Sequence, residues 1–282
     1  MKWAPGDRDN IEDRRGSSGV RTAIPIGIGG VIVLGLLSWA TGTDFLSLLS
    51  EQGSAPVADN GGSVQSSPQE ERKVDFVDAV ARDVQNTFEQ ELGGRYERTR
   101  VVLFRDAVES ACGSAQSATG PFYCPGDQKV YLDVGFFDEL TQRFGAPGEF
   151  AQAYVIGHEL GHHVQHLLGL DERARGAAAV GANSASVALE LQADCLAGVW
   201  GHAASQSGRF KAGGIELDPG DADDALRAAS AIGDDRLQKM STGRVMPERF
   251  THGTSAQRVQ AFGRGMSSGD LRACGVGARG TQ

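Results

Sequence analysis

Clustered positive charge and closely spaced cysteine are both scarce in this chain. Its 36 Asp and Glu outnumber 27 Lys and Arg, giving a net charge of −9, and no Lys/Arg cluster occurs outside the N-terminal residues. Phosphate recognition needs such a cluster, so nucleic acid is not an expected partner. There are four cysteines, and no two have the short spacing that zinc–thiolate sites favour. An even number in a chain that reads as exported suits disulfides instead. Three pairings exist. We expect Cys112–Cys124 as a local loop staple and Cys195–Cys274 as a tie between the C-terminal tail and an upstream helix, with a buried free Cys195 as the competing arrangement. Long apolar runs are scarce too. Apart from a single one near the N-terminus, the 282 residues, 40% hydrophobic and 22% charged, have the composition of an ordinary globular chain.

That one run, Ala23 to Ala40, lies within the uncharged stretch 22–42 and is just long enough to cross a bilayer. Trp39 sits at its far end, and Lys2, Arg8, Arg14, Arg15 and Arg21 all precede it. This bias predicts a single-pass transmembrane helix over 22–42, with a cytoplasmic segment 1–21 and the bulk of the chain extracytoplasmic at the cell membrane. The alternative is a cleaved signal peptide ending at Ser38-Trp39-Ala40. Residues 43–72, rich in Ser, Gly, Pro, Gln and Glu, read as a flexible linker.

What is most informative is Ala151–His166, AQAYVIGHELGHHVQH. Its periodicity predicts a helix that no proline interrupts and that Gly169 closes. Residues four apart share a helix face, so His158 and His162 can present ring nitrogens to one metal ion. Glu159 is placed to reach a water on that metal. His163 and His166 read as structural or solvated.

Two histidines do not complete a catalytic zinc site, which takes three protein ligands. The helix predicted over Asn183–His202 carries Glu190 and Asp194 one turn apart and is apolar nearly all round, which implies burial. Buried carboxylates need partners. We expect Glu190 as the third ligand and Asp194 as the acceptor that orients one histidine; the reverse assignment stays open.

The run from FYCPGDQKVYLD through HELGHHVQ to ELQADCLAGVWGH, with the opening KWAPGDRDNIEDRRG, resembles the bacterial putative neutral zinc metallopeptidase family, and the Glu-x-x-x-Asp spacing is similar to that of gluzincins. The resemblance implies an α+β, zincin-like catalytic domain, expected over 73–275 with a disordered tail at 276–282. It also implies one Zn2+ per chain and a protein or peptide substrate. By analogy with such peptidases, KVYLD (129–133) is a candidate sheet edge for pairing with substrate. His252 or Arg258, just before and inside a helix whose Thr254 and Gln257 have capping-box spacing, could by analogy stabilise an oxyanion.

The expected function is a zinc-dependent peptidase that cleaves peptide bonds with a zinc-activated water and Glu159 as general base. The alternatives are a catalytically silent, membrane-tethered zinc-containing binding module and a metal-dependent amidase acting on cell-wall material. Oligomeric state leaves no trace in the sequence.

Overall fold

The computed structural model describes residues 1–16, 66–174 and 179–277. The expected membrane span 22–42, most of the linker and the last residues of the tail lie outside the described residues. The fold is mixed α+β, with elements in the order β1 (Ile11–Asp13), α1 (Pro68–Leu92), β2 (Val101–Phe104), β3 (Ala107–Ser110), β4 (Gly113–Gln116), β5 (Phe122–Cys124), β6 (Lys129–Asp133), α2 (Phe136–Gln142), α3 (Glu149–Leu167), α4 (Leu170–Ala174), α5 (Ala185–Ala204), α6 (Asp221–Ala231), α7 (Asp234–Thr242) and α8 (Ser255–Ser268).

Helix α1 starts at Pro68, upstream of the domain boundary expected at residue 73, because Ser67 caps it by accepting the Glu70 amide and Pro68 fits the first turn. Val74, Val77, Val80, Val84 and Phe88 recur at helical spacing along it and are fully buried. At the other end of the domain, Val276 is buried as well, so the described fold runs past the expected boundary at 275. Helices α6 and α7 are separated at Ile232-Gly233, where a Cβ on Gly233 would meet the Ser255 backbone.

The main sheet has the order β1-β2-β6-β5, parallel from β1 to β6 and antiparallel at β5. Strand β6, expected at an edge, is therefore interior: Val130 pairs with Val101 on one side and Tyr123 on the other. The edge toward the helices is β5, whose Tyr123 hydroxyl meets His163 Nδ1 of α3 at 3.0 Å.

The other edge, β1, comes from the segment read as separate from the domain. Ile11 pairs with Val101 and Asp13 with Leu103. Asn10 donates its side-chain amide to Asp78 of α1 at 3.0 Å and accepts from Gln85 at 3.0 Å. The Arg15 side chain is buried among Asp13, Glu70 and Glu71, and the Met1 ammonium lies 3.0 Å from Asp221. Residues 1–16 thus belong to the domain. Three residues of mixed polarity pairing in parallel across a long separation leave no periodicity to read.

Helices α3, α5 and α8 pack at unusually close range. A Cβ on Gly161 would lie 3.1 Å from the Ala193 carbonyl oxygen, and one on Gly265 would lie 1.9 Å from that of Cys195. Bare glycine backbone at these crossings lets α3 and α8 each approach the α5 backbone closely. Trp200 of α5 packs on Phe150, which in turn meets Phe262 of α8. The structure joins Cys112 to Cys124 and Cys195 to Cys274.

Candidate metal centre

The close crossing of α3 and α5 brings four expected residues together. His158 and His162 stand one turn apart on α3, and their Nε2 atoms are 3.2 Å apart. Glu190 reaches both from α5: Oε2 is 3.1 Å from His158 Nε2 and Oε1 is 3.5 Å from His162 Nε2. One ligand atom from each of the three lies within 4.8 Å of the others. A tetrahedral ion with bonds of about 2.0–2.1 Å holds its ligand atoms about 3.3 Å apart, which these spacings match, so the donor set and its geometry fit a metal ion.

Asp194 lies on the opposite side of the His158 ring. Its Oδ1 accepts from Nδ1 at 2.8 Å, so the two carboxylates of α5 are sorted, Glu190 to Nε2 and Asp194 to Nδ1. Arg258 of α8 is 3% exposed, and it donates to Asp194 through Nε and Nη2, both at 2.9 Å. Tyr154, one turn before His158, donates its hydroxyl to the same Oδ1. Arg258 therefore holds the partner of a histidine. Its Nε and Nη2 are engaged by Asp194, while Nη1 faces the Ile232 carbonyl oxygen at 3.4 Å, so the expected oxyanion role would fall to Nη1 alone.

His252 lines the same cleft as Glu159 and stays half exposed. Its loop is held by Asp234, whose Oδ2 accepts the amides of Thr251, His252 and Gly253 at 2.7, 2.7 and 3.0 Å. His163 is structural. It is buried, and its Nε2 lies 2.7 Å from the Glu97 carbonyl oxygen. His166 pairs with Asp171 at 2.9 Å. Tyr154, Gln165 and Asp234 escaped the reading of the sequence. The first two had a local signal, since they lie four residues before His158 and three after His162, but the signal for Asp234 exists only in three dimensions.

Burial disfavours charge on every member of this cluster, and pairing overrides it. Burial pulls the His158 imidazole down, yet Asp194 and Glu190 push it up to about 10. His162 is raised against its own burial by Glu190. Burial likewise opposes ionisation of Glu190, but His162 and His158 hold its carboxyl well below the usual range. Arg258 and His158 overcome burial to do the same for Asp194. For the metal-free protein the signs are clear. The raised imidazoles stabilise the fold fully below their unfolded value near 6.5, and this is lost as pH rises through about 10 for His158. The lowered carboxyls stabilise it above their unfolded values of about 4, and this is lost as pH falls through their folded values. Metal binding competes with the imidazole protons, so metal affinity should rise steadily between pH 6 and pH 9. A titration with a metal-competing dye across that range checks it, and a flat profile would remove His158 and His162 from the ligand set.

The cluster opens into a cleft of about 710 Å³ with Glu159, Val155, Phe136, Phe144, Leu189, Leu237 and Tyr123 among its walls. Glu159 is 7% exposed.

The model of the family described as "Putative neutral zinc metallopeptidase" matches residues 1–276. The chain belongs to that family. The match includes residues 1–16, in accord with their place in the sheet. Proteins similar to this chain include the uncharacterized protein YpfJ of Escherichia coli (strain K12), 42% identical over 97% of this chain and 98% of its own length. The uncharacterized protein Mb2605 of Mycobacterium bovis is 48% identical over 64% of this chain and 62% of its own length. No solved structure matches. The family's name suggests a zinc peptidase, and the cluster of His158, His162 and Glu190 could hold the ion.

Proposed function

We propose that this chain is a zinc-dependent peptidase. The observation that carries the reading is the near-tetrahedral spacing of His158 Nε2, His162 Nε2 and Glu190 with Glu159 in the same cleft. A zinc ion on these three residues would acidify a water and polarise the carbonyl to be cleaved. Glu159 makes no hydrogen bond to the described residues, so its carboxylate is free to accept the proton of the attacking water and pass it to the leaving amine. We assign the donor to the oxyanion, formed as the carbonyl becomes tetrahedral, to His252, which lines the cleft on a loop fixed by Asp234. Asp194, held by Arg258 and Tyr154, keeps the His158 proton on Nδ1 and leaves Nε2 for the metal. We read the fold as zincin-like, with a peptide substrate lying along β5, whose Phe122 and Tyr123 line the same cleft.

The test uses the full chain, because a fragment starting at Lys73 would lose β1 and the Ser67 cap. We expect one zinc per chain by elemental analysis, chelator-sensitive hydrolysis of casein, and loss of zinc in Glu190→Ala. Zinc bound without hydrolysis of any peptide would favour the binding module; hydrolysis of cell-wall crosslinks alone would favour the amidase.

The pairing of β1 with β2 bears on localisation. A single membrane crossing between residues 16 and 66 would put these strands on opposite sides. Two disulfides favour an oxidising compartment. We therefore propose that residues 1–16 and the catalytic domain share the extracytoplasmic side. Cysteines introduced at Lys2 and at Thr281 should both react with a membrane-impermeant maleimide in intact cells. Labelling at only one of them would restore the single crossing.

A further inference from the structure

His158 has an acidic partner that sets its tautomer, whereas His162 has none. Its Nδ1 lies 2.9 Å from Gln165 Oε1. Gln165 Nε2 donates to the Leu189 carbonyl at 2.7 Å and to Gln192 Oε1 at 3.0 Å. Gln192 Nε2 in turn donates to the Cys274 carbonyl at 2.9 Å. Cys274 is crosslinked to Cys195 on α5, the helix that carries Gln192. An unbroken line of hydrogen bonds therefore runs from the C-terminal crosslink to the imidazole.

The polarity of this line is dictated at its ends. Backbone carbonyls only accept, so Leu189 and Cys274 each require an amide nitrogen facing them. Gln192 must then turn its oxygen toward Gln165, and Gln165 must turn its oxygen toward His162. Reversing either amide would set oxygen against oxygen. Gln165 is 1% exposed, so no solvent would compensate a mismatch. An oxygen facing Nδ1 keeps the proton there and leaves the Nε2 lone pair directed at Glu190 and His158.

We propose that Gln165 and Gln192 are positioning residues that hold His162 in its metal-binding tautomer, and that the Cys195–Cys274 crosslink anchors them. The proposal rests on the reading of His162 as a ligand. Two Gln residues thus do with neutral dipoles what Asp194 does with a charge, and the crosslink gains a role beyond joining the tail to α5.

Zinc affinity by chelator competition, the His162 tautomer by 15N NMR on metal-free protein at a pH where the ring is neutral, and the thermal midpoint are measured together. We expect wild type to show the Nδ1–H tautomer. Gln165→Leu should bind zinc about 10- to 100-fold more weakly, and Gln192→Met should weaken it in the same direction, each with a mixed tautomer. Cys195→Ser/Cys274→Ser should also weaken binding, and adding Gln192→Met to it should cost little more, because both act through one line. Wild-type affinity and tautomer in both Gln variants, with His162→Ala losing zinc, would overturn the relay. Full additivity of Gln192→Met with the serine pair would overturn the crosslink's part in it. Zinc binding unaffected by His162→Ala would instead overturn the ligand assignment itself.

Discussion

Glu159→Gln should lower turnover by roughly 10²–10⁴-fold, the usual contribution of a positioned proton acceptor, while zinc content and thermal midpoint stay near wild type. The asymmetry follows from the position of the carboxylate. It has no hydrogen-bond partner among the described residues, so an amide of the same shape leaves no donor or acceptor stranded. Nor is it one of the three residues whose ligand atoms converge, so the metal site is untouched. Only the ability to take a proton is lost. Casein hydrolysis with elemental analysis on the same preparation checks this. Retained turnover would mean that another group accepts the proton, and loss of zinc together with activity would mean that Glu159 contributes to holding the ion.

Arg258→Met should destabilise the protein by about 3–5 kcal/mol, the range for removing one partner of a buried ion pair. Asp194 is fully buried, and Arg258 contributes two of its hydrogen bonds. Without the guanidinium, the carboxylate keeps only His158 and Tyr154. Zinc affinity should fall as well, since Asp194 then orients His158 less firmly. The double variant Arg258→Met/Asp194→Leu should recover part of the stability, because it removes the stranded charge, but none of the zinc affinity. Chemical denaturation and chelator competition separate the two effects. Had Arg258 been the oxyanion donor suggested by analogy, its removal would cost turnover alone, and such a result would return it to that role.

These expectations separate what is local from what is not. His158, Glu159 and His162 are legible in the sequence because helical periodicity relates residues four apart without reference to the rest of the chain. The capping box at Thr254 and Gln257 is local in the same way and is present in the structure. Glu190 and Asp194 could be named as a pair, since buried acids on an apolar helix need partners. Their division between Nε2 and Nδ1 of one ring could not be, because it depends on how closely α3 crosses α5 at Gly161. Strand β6 has the apolar pattern of any strand, and whether it has one neighbour or two is decided only when β2 and β5 pair with it.

The N-terminal segment shows the limit most plainly. Its positive charge ahead of an apolar run is a pattern for membrane orientation. Yet Asn10, Ile11 and Arg15 are committed to partners 56 to 90 positions away. By itself the sequence picked out His158, Glu159 and His162, the helices that bring the candidate site together and the family to which the chain belongs. The tertiary structure alone decided which carboxylate of α5 stands beside both Nε2 atoms, that Arg258 pairs with Asp194, that Gln165 meets Nδ1 of His162, and that the first sixteen residues complete the sheet. Each of these depends on contacts between elements distant in sequence, set by helix crossings and strand pairings that no short window of residues contains.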